Sequence, residues 1–279
     1  MVSSTHRGVG ESDAPVASSR SRVISDAAQL LQGKHRRARG MFLLEGLQGV
    51  REAVADPDVV ERLFATPGAA QAHPNVLAAA KAVGAAVTIC DDQALRRLAT
   101  SVNPVGLVAL CRMPAPDLAT VLSRARLVVY LHQLADPGNL GTIIRTADAA
   151  GADAVLLSPE SVDPFNDKAL RSTAGSICHI PVIRDLTLDD ALAHTRGIGA
   201  AVFAATAEGT ALDAATVQSR LSGPTLWIFG SEAHGLPPEV LAKADLAVSV
   251  PHFGRAESLN VSSAAAVCVY ASALAQRRG

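Results

Sequence analysis

Aromatic side chains are scarce in this chain, at 3% of its 279 residues, while Ala and Val abound, so its cores must be built from small and branched aliphatic side chains. Cysteine is scarce as well. The four present, Cys90, Cys111, Cys178 and Cys268, are far apart and form no C-x-x-C pair, a spacing that fits neither a zinc site nor a disulfide framework. No apolar run reaches the length of a membrane span; the nearest, Leu259 to Ala275, is dotted with Ser and reads as a buried helix. Residues 1–22 contain Ser, Gly and Arg without an apolar run, so nothing there reads as a signal peptide and a cytoplasmic protein is expected. Also missing is a G-x-G-x-x-G after the first strand of the C-terminal βα pattern, which removes the dinucleotide fingerprint.

What is present begins with charge asymmetry. The formal net charge is −1, yet from Arg20 to Arg51 seven basic residues (Arg20, Arg22, Lys34, Arg36, Arg37, Arg39 and Arg51) face two acids, Asp26 and Glu45. Such a patch can neutralise phosphates, the alternative being a solvated charged face. An apolar fraction of 49% over this length is enough for two compact domains.

Residues 1–19 read as a disordered lead. From 20 to 112 helical and strand patterns alternate: a helix near Asp26–Leu31, strands at Met41–Leu44, Arg62–Ala65, Val87–Cys90 and Leu107–Leu110, and helices at 48–54 and 75–83. Met113-Pro114-Ala115-Pro116-Asp117 marks a linker, taken as 113–123. From 124 to 279 strands and helices repeat, with helices at 139–150, 167–174, 187–196 and about 258–276, and strands including Leu127–Leu131, Ala201–Ala205 and Thr225–Phe229. Nearly continuous apolar strands in βα units predict a parallel sheet covered on both faces.

Three segments of the second unit carry the chemistry. Asp136-Pro137-Gly138-Asn139-Leu140-Gly141-Thr142-Ile143-Ile144-Arg145 opens a helix; Phe229-Gly230-Ser231-Glu232-Ala233-His234-Gly235-Leu236-Pro237 leaves a strand through a Gly-rich turn; Val250-Pro251-His252-Phe253-Gly254 leads to Ser258-Leu259-Asn260-Val261-Ser262 at the start of the last helix. Turns beside a helix N-terminus suit a compact polar ligand. In order and content the three resemble the motifs of the SpoU (TrmH-like) family of RNA ribose 2′-O-methyltransferases, in the SPOUT superfamily. The resemblance spans about residues 124–279. Arg36 through Gly46 and Pro104 through Ala109 are similar to the small RNA-binding domain, related to a ribosomal-protein fold, that precedes the catalytic domain in rRNA-directed members.

The resemblance implies an α/β protein: a parallel-sheet SPOUT domain with a deep trefoil knot, behind a small α/β RNA-binding domain. It implies methylation of a ribose 2′-hydroxyl in rRNA by S-adenosylmethionine, by a homodimer, with no metal and no membrane. A tRNA-directed enzyme and a non-catalytic ribosome-assembly protein are the alternatives.

By the same match the catalytic residues are Asn139, Arg145, Glu232, Ser258 and Asn260. Thr206, Gly230, Val250 and Leu259 stand at cofactor-binding positions, and Lys34, Arg36, Arg37, Arg39 and Arg171 at RNA-binding ones. Position alone gives these residues plainer readings. Asn139 is an N-cap, Arg145 a snorkelling Arg paired with a carboxylate, Glu232 an exposed turn acid, and Ser258 and Asn260 caps of the last helix. Arg145 either acts as the base or orients the hydroxyl; a guanidinium pKa above about 12 disfavours the first. Ala233-His234 departs from the Gly-Glu common in relatives, and His132, His234 and His252 are not at metal-ligand spacing.

Overall fold

The structure is a computed structural model that describes residues 16–256 and 258–278. Most of the expected lead lies outside these residues, but its end is part of the fold: Ala17 bridges Cys90, and its N–H donates to the Ile89 carbonyl at 2.8 Å. The N-terminal unit is a four-stranded mixed sheet of β1 (Met41–Glu45), β2 (Val60–Ala65), β3 (Ala86–Ile89) and β4 (Leu107–Arg112), in the order β1-β4-β2-β3. β4 runs antiparallel to β1 and β2, whereas β2 and β3 are parallel. A helix that the sequence reading missed, Gly33–Arg39, delivers the chain into β1 through Gly40, whose φ of +62° suits glycine.

The second unit is a six-stranded parallel sheet of β5 (Leu127–Leu131), β6 (Ala154–Leu157), β7 (Val182–Ile183), β8 (Ala201–Ala211), β9 (Thr225–Phe229) and β10 (Leu246–Ser249), in the order β10-β8-β9-β5-β6-β7. β5 is buried along its whole length. Because successive side chains point to opposite faces, Leu127, Val129 and Leu131 enter one core and Val128 and Tyr130 another. The first face is covered by the helices Pro137–Ala150 and Val261–Arg278, which pack on each other as well as on the sheet. The buried Trp227 of β9 is tied to the second of these helices by an Nε1–H bond to Ser272 Oγ at 2.8 Å. On the other face lie Leu188–Gly197 and the short helix Leu118–Leu122. That last helix corrects the linker: Leu122 is buried against the second unit, so the irregular connection is 113–117. Among the described residues no helix is long and apolar enough to cross a membrane.

The two units share a core. One apolar core runs from Phe42, Leu44 and Val50 of the first into Phe165, Ala169 and Leu170 of the second, with the rings of Phe42 and Phe165 4.9 Å apart at their centroids. Beside them Arg36, read from sequence as a phosphate contact, is only 6% exposed. Its Nη2 pairs with Asp163 Oδ2 at 2.6 Å and its Nη1 donates to the carbonyls of Leu30 and Leu31. Arg36 is therefore an internal clamp and not part of the basic surface, since a charge is tolerated in such a place only when paired and hydrogen-bonded.

Candidate active site

The helix Pro137–Ala150 starts two residues earlier than its apolar pattern suggested, and the shift changes the part played by Asn139. Asp136 is the cap: its Oδ1 accepts the Asn139 N–H at 2.8 Å, with Pro137 in the first turn where a missing N–H costs nothing. Lys168 Nζ, 2.9 Å from Asp136 Oδ2, heads the causes that hold this carboxyl below its usual pKa, followed by the Asn139 N–H. Asp-Pro ahead of a Gly-Asn pair was the signal for this start. The Asn139 side chain, relieved of capping, reaches across to the Gly-rich turn, and its Nδ2 donates to Glu232 Oε1 at 2.7 Å.

Arg145 lies two turns further along the same helix and is exposed; among the described residues it makes no ion pair or hydrogen bond, so the paired snorkelling reading has no support there. Gly141 lies between the two in sequence and is buried. A methyl group on it would come within 2.5 Å of Ser172 Cβ, so its absence allows the helix Asp167–Thr173 to pack closely.

The turn after β9 folds back on itself. Ser231 and Gly235 pair as an antiparallel bridge, the Gly235 N–H donating to the Ser231 carbonyl at 2.9 Å. A Cβ on Gly230 would overlap the Gly235 carbonyl and lie 2.7 Å from Leu236 N. Only glycine fits there, because backbone takes the space a side chain would need.

The turn forms one wall of a cavity, and a second comes from β8, which is longer than the expected Ala201–Ala205. It pairs with β10 at Phe203/Leu246 and Ala204/Ala247, then again at Thr210/Val248 and Ala211/Ser249, so residues 205–209 form an excursion with no partner on β10. Thr206 lies in it. The third wall is formed by Val250, His252 and Ser258 to Asn260, ahead of the last helix, which begins at Val261. Asn260 caps that helix, its Oδ1 accepting from Ser262 N–H at 2.8 Å and Ser262 Oγ at 2.6 Å. Among the described residues, neither the Asn260 amide nitrogen nor the Ser258 hydroxyl makes a hydrogen bond.

These walls enclose a cavity of about 490 Å³. Thr206, Gly230, Val250 and Leu259 line it together with Glu232, Ser258 and Asn260. Asn139 joins through Glu232, and Arg145 stands outside on the same helix. The sequence reading missed Ala205, Ala207, Ser231 and Leu236, all lining residues whose apolar or small side chains carry no motif signal. His132, behind the cavity at the end of β5, has its pKa lowered by burial, with Glu239 opposing, and its Nδ1 is buried without a partner. Among the described residues no three His, Cys, Asp or Glu side chains cluster as metal ligands would.

Arg171 is placed at the seam between the units, its Nη1 2.6 Å from Glu45 Oε1 and 3.2 Å from Asp167 Oδ2. Its charge is thus largely matched within the protein. Lys34 and Arg37 point outward and, among the described residues, make no ion pair; Arg39 is exposed but donates to the Asp26 carbonyl.

Comparison with known proteins places both units in known families. The SpoU rRNA Methylase family matches residues 126–270, and the MRM3-like substrate binding domain matches residues 22–109. The 23S rRNA (guanosine(2553)-2′-O)-methyltransferase RlmP of Bacillus subtilis is 35% identical over 257 residues, 91% of this chain and 97% of that one. Among solved structures, an AdoMet-bound rRNA methyltransferase from Sinorhizobium meliloti superposes with a TM-score of 0.76 at 29% identity, covering 92% of this chain and 97% of that one. The SpoU methyltransferase AviRb from Streptomyces viridochromogenes, in complex with AdoMet, gives 0.78 at 25% identity over 93% of this chain and 100% of that one.

Proposed function

The chain belongs to the SpoU rRNA methylase family, and on that premise we propose that it methylates a ribose 2′-hydroxyl of large-subunit rRNA with S-adenosylmethionine. The observation that carries this reading is the Asn139–Glu232 hydrogen bond, which joins the Arg145 helix to the loop-walled cavity. The cavity fits the cofactor: Gly230 permits backbone to close around a ligand, and the excursion at 205–209 and the segment 250–260 offer main-chain groups on facing walls.

S-adenosylmethionine supplies an already activated methyl group, so the protein's work is to position the acceptor. Glu232 fixes Asn139 at the cavity mouth, and Arg145, exposed beside it, holds the ribose and its phosphate by its planar fork. A guanidinium keeps its proton at neutral pH. Arg145 therefore orients the hydroxyl, and the proton leaves to a phosphate oxygen or water.

The proposal extends to chain path and assembly. β10 lies at the sheet edge beside β8, yet the helix that follows packs on β5 and β9; this return of the chain from the edge to the middle of the sheet supports the reading of a trefoil knot. On the outer side of that helix Val267, Tyr270 and Leu274 are 42%, 40% and 50% exposed, spaced as one stripe, which supports a homodimer through this face. Lys34, Arg37 and Arg39 supply phosphate contacts, with Arg171 at the seam beside them. The paired N-terminal domain favours rRNA over tRNA.

The test is calorimetry with S-adenosylhomocysteine and with NADH, followed by transfer of labelled methyl groups to an unmodified 23S rRNA transcript and mapping of 2′-O-methyl positions. Binding of the first ligand alone and a single modified ribose are expected. Binding of NADH alone, or no methylated ribose, would overturn the reading.

A further inference from the structure

In a chain so poor in aromatics, burial claims all but two, one of which is Tyr270, 40% exposed on the outer side of the last helix. Every Phe but one is at most 3% exposed, and Trp227 and Tyr130 are buried as well. The exception is Phe253, 95% exposed. It stands in the segment Val250–Gly254, whose Val250 and His252 line the cavity, so the ring projects from the cavity's rim into solvent. His252 and Arg255 on either side are exposed too, which places an aromatic face among groups that favour a polyanion.

An isolated Phe left in water forgoes the burial that the other five obtain, and among the described residues no intramolecular contact covers it. The chemistry that uses such a group beside basic neighbours is stacking on a nucleobase, which is tolerant of base identity because every base has a π-face. Resting on the reading of the site as an RNA ribose methyltransferase, we infer that Phe253 is a stacking platform for an unpaired base of the substrate strand, next to the ribose being methylated. A base held there is drawn out of its helix. The neighbouring ribose is thereby presented to the cavity mouth, where Asn139 meets Glu232 and where Arg145 of the Asn139 helix is exposed, and Arg255 takes the adjoining phosphate. Phe253 is a binding and positioning residue; it touches no reacting atom.

The test uses the full chain, an unmodified 23S rRNA transcript and the variants Phe253→Ala, Phe253→Leu, Phe253→Tyr and Phe253→Trp. Loss of one base–aromatic stack is expected to raise the KM for RNA about tenfold in the Ala variant, with kcat within about threefold and adenosylhomocysteine affinity unchanged. Tyr and Trp should restore the wild-type KM, and Leu, apolar but without a π-face, should not. The Trp variant adds a readout independent of turnover: its exposed indole should be quenched on RNA addition, against the constant emission of the buried Trp227. Wild-type KM in the Ala variant, rescue by Leu, or an unquenched indole would overturn the inference. So would a shift of the Ala variant from dimer to monomer in light scattering, which would assign Phe253 to a second copy of the chain. If the wild-type chain methylates no ribose, the enzymatic reading falls by itself and quenching still decides whether Phe253 stacks on RNA.

Discussion

Asn139 and Glu232 are 93 positions apart in the chain and 2.7 Å apart in the fold, amide nitrogen to carboxylate oxygen. Asn139 contributes no cavity wall, so this bond is its route to the site. Asn139→Ala should lower single-turnover methyl transfer about 10- to 100-fold, the range for losing a hydrogen bond to a charged group, and leave adenosylhomocysteine affinity within a few-fold. Asn139→Asp should be worse than Ala, because it sets two carboxylates face to face. Equal activity of the three chains would detach Asn139 from catalysis.

Arg145 separates binding from chemistry. Standing outside the cofactor loops, it should be dispensable for adenosylhomocysteine binding and required for methyl transfer, so Arg145→Ala should be inactive with an unchanged calorimetric titration. Arg145→Lys tests the fork. A substantial recovery of rate would mean that a positive charge alone suffices; little recovery would mean that two parallel N–H donors are needed.

Gly230 is the steric keystone of the turn after β9. Gly230→Ala forces a methyl group into the Gly235 carbonyl and should cost at least the ~1–3 kcal/mol of overpacking. Thermal denaturation should show a lower midpoint, and cofactor binding should be lost. Gly223→Ala, with its nearest atom 3.8 Å away, is the control that should change neither.

Arg36 and Arg37 are adjacent and should behave as opposites. Arg36→Ala leaves Asp163 buried without its main partner and should destabilise the fold by about 3–5 kcal/mol in urea denaturation. Arg37→Ala, like Lys34→Ala, should leave stability unchanged and reduce the salt dependence of RNA binding by about one ion each. A destabilised Arg37 variant or a neutral Arg36 variant would reverse the assignment.

The parallel sheet was legible because β5 and β9 are nearly continuous apolar runs, and the cavity because its walls end in glycines and a helix cap. Arg36 was not. Its partner Asp163 is 127 residues away, and nothing local distinguishes a clamped guanidinium from a solvated one in a basic cluster. The contact between the two units was hidden for a similar reason: the prolines of 113–117 mark where the backbone is irregular, not where packing stops, and Phe42 meets Phe165 across that boundary. The excursion at 205–209 depends on the register between β8 and β10, which no alternation of residues along β8 encodes.

The clamp of Arg36 on Asp163 and the shared core around Phe42 also turn the protein into a caliper. Lys34 and Arg37 ride on the same short helix as Arg36, so their distance to Asn139 is set by packing and does not vary with a tether. An RNA can satisfy both ends only if its phosphates and its reactive ribose are held at that same separation. Substrate choice then becomes a measurement of folded RNA shape: a short oligonucleotide with the right local sequence, unable to span the gap, should be passed over in favour of a structured rRNA domain.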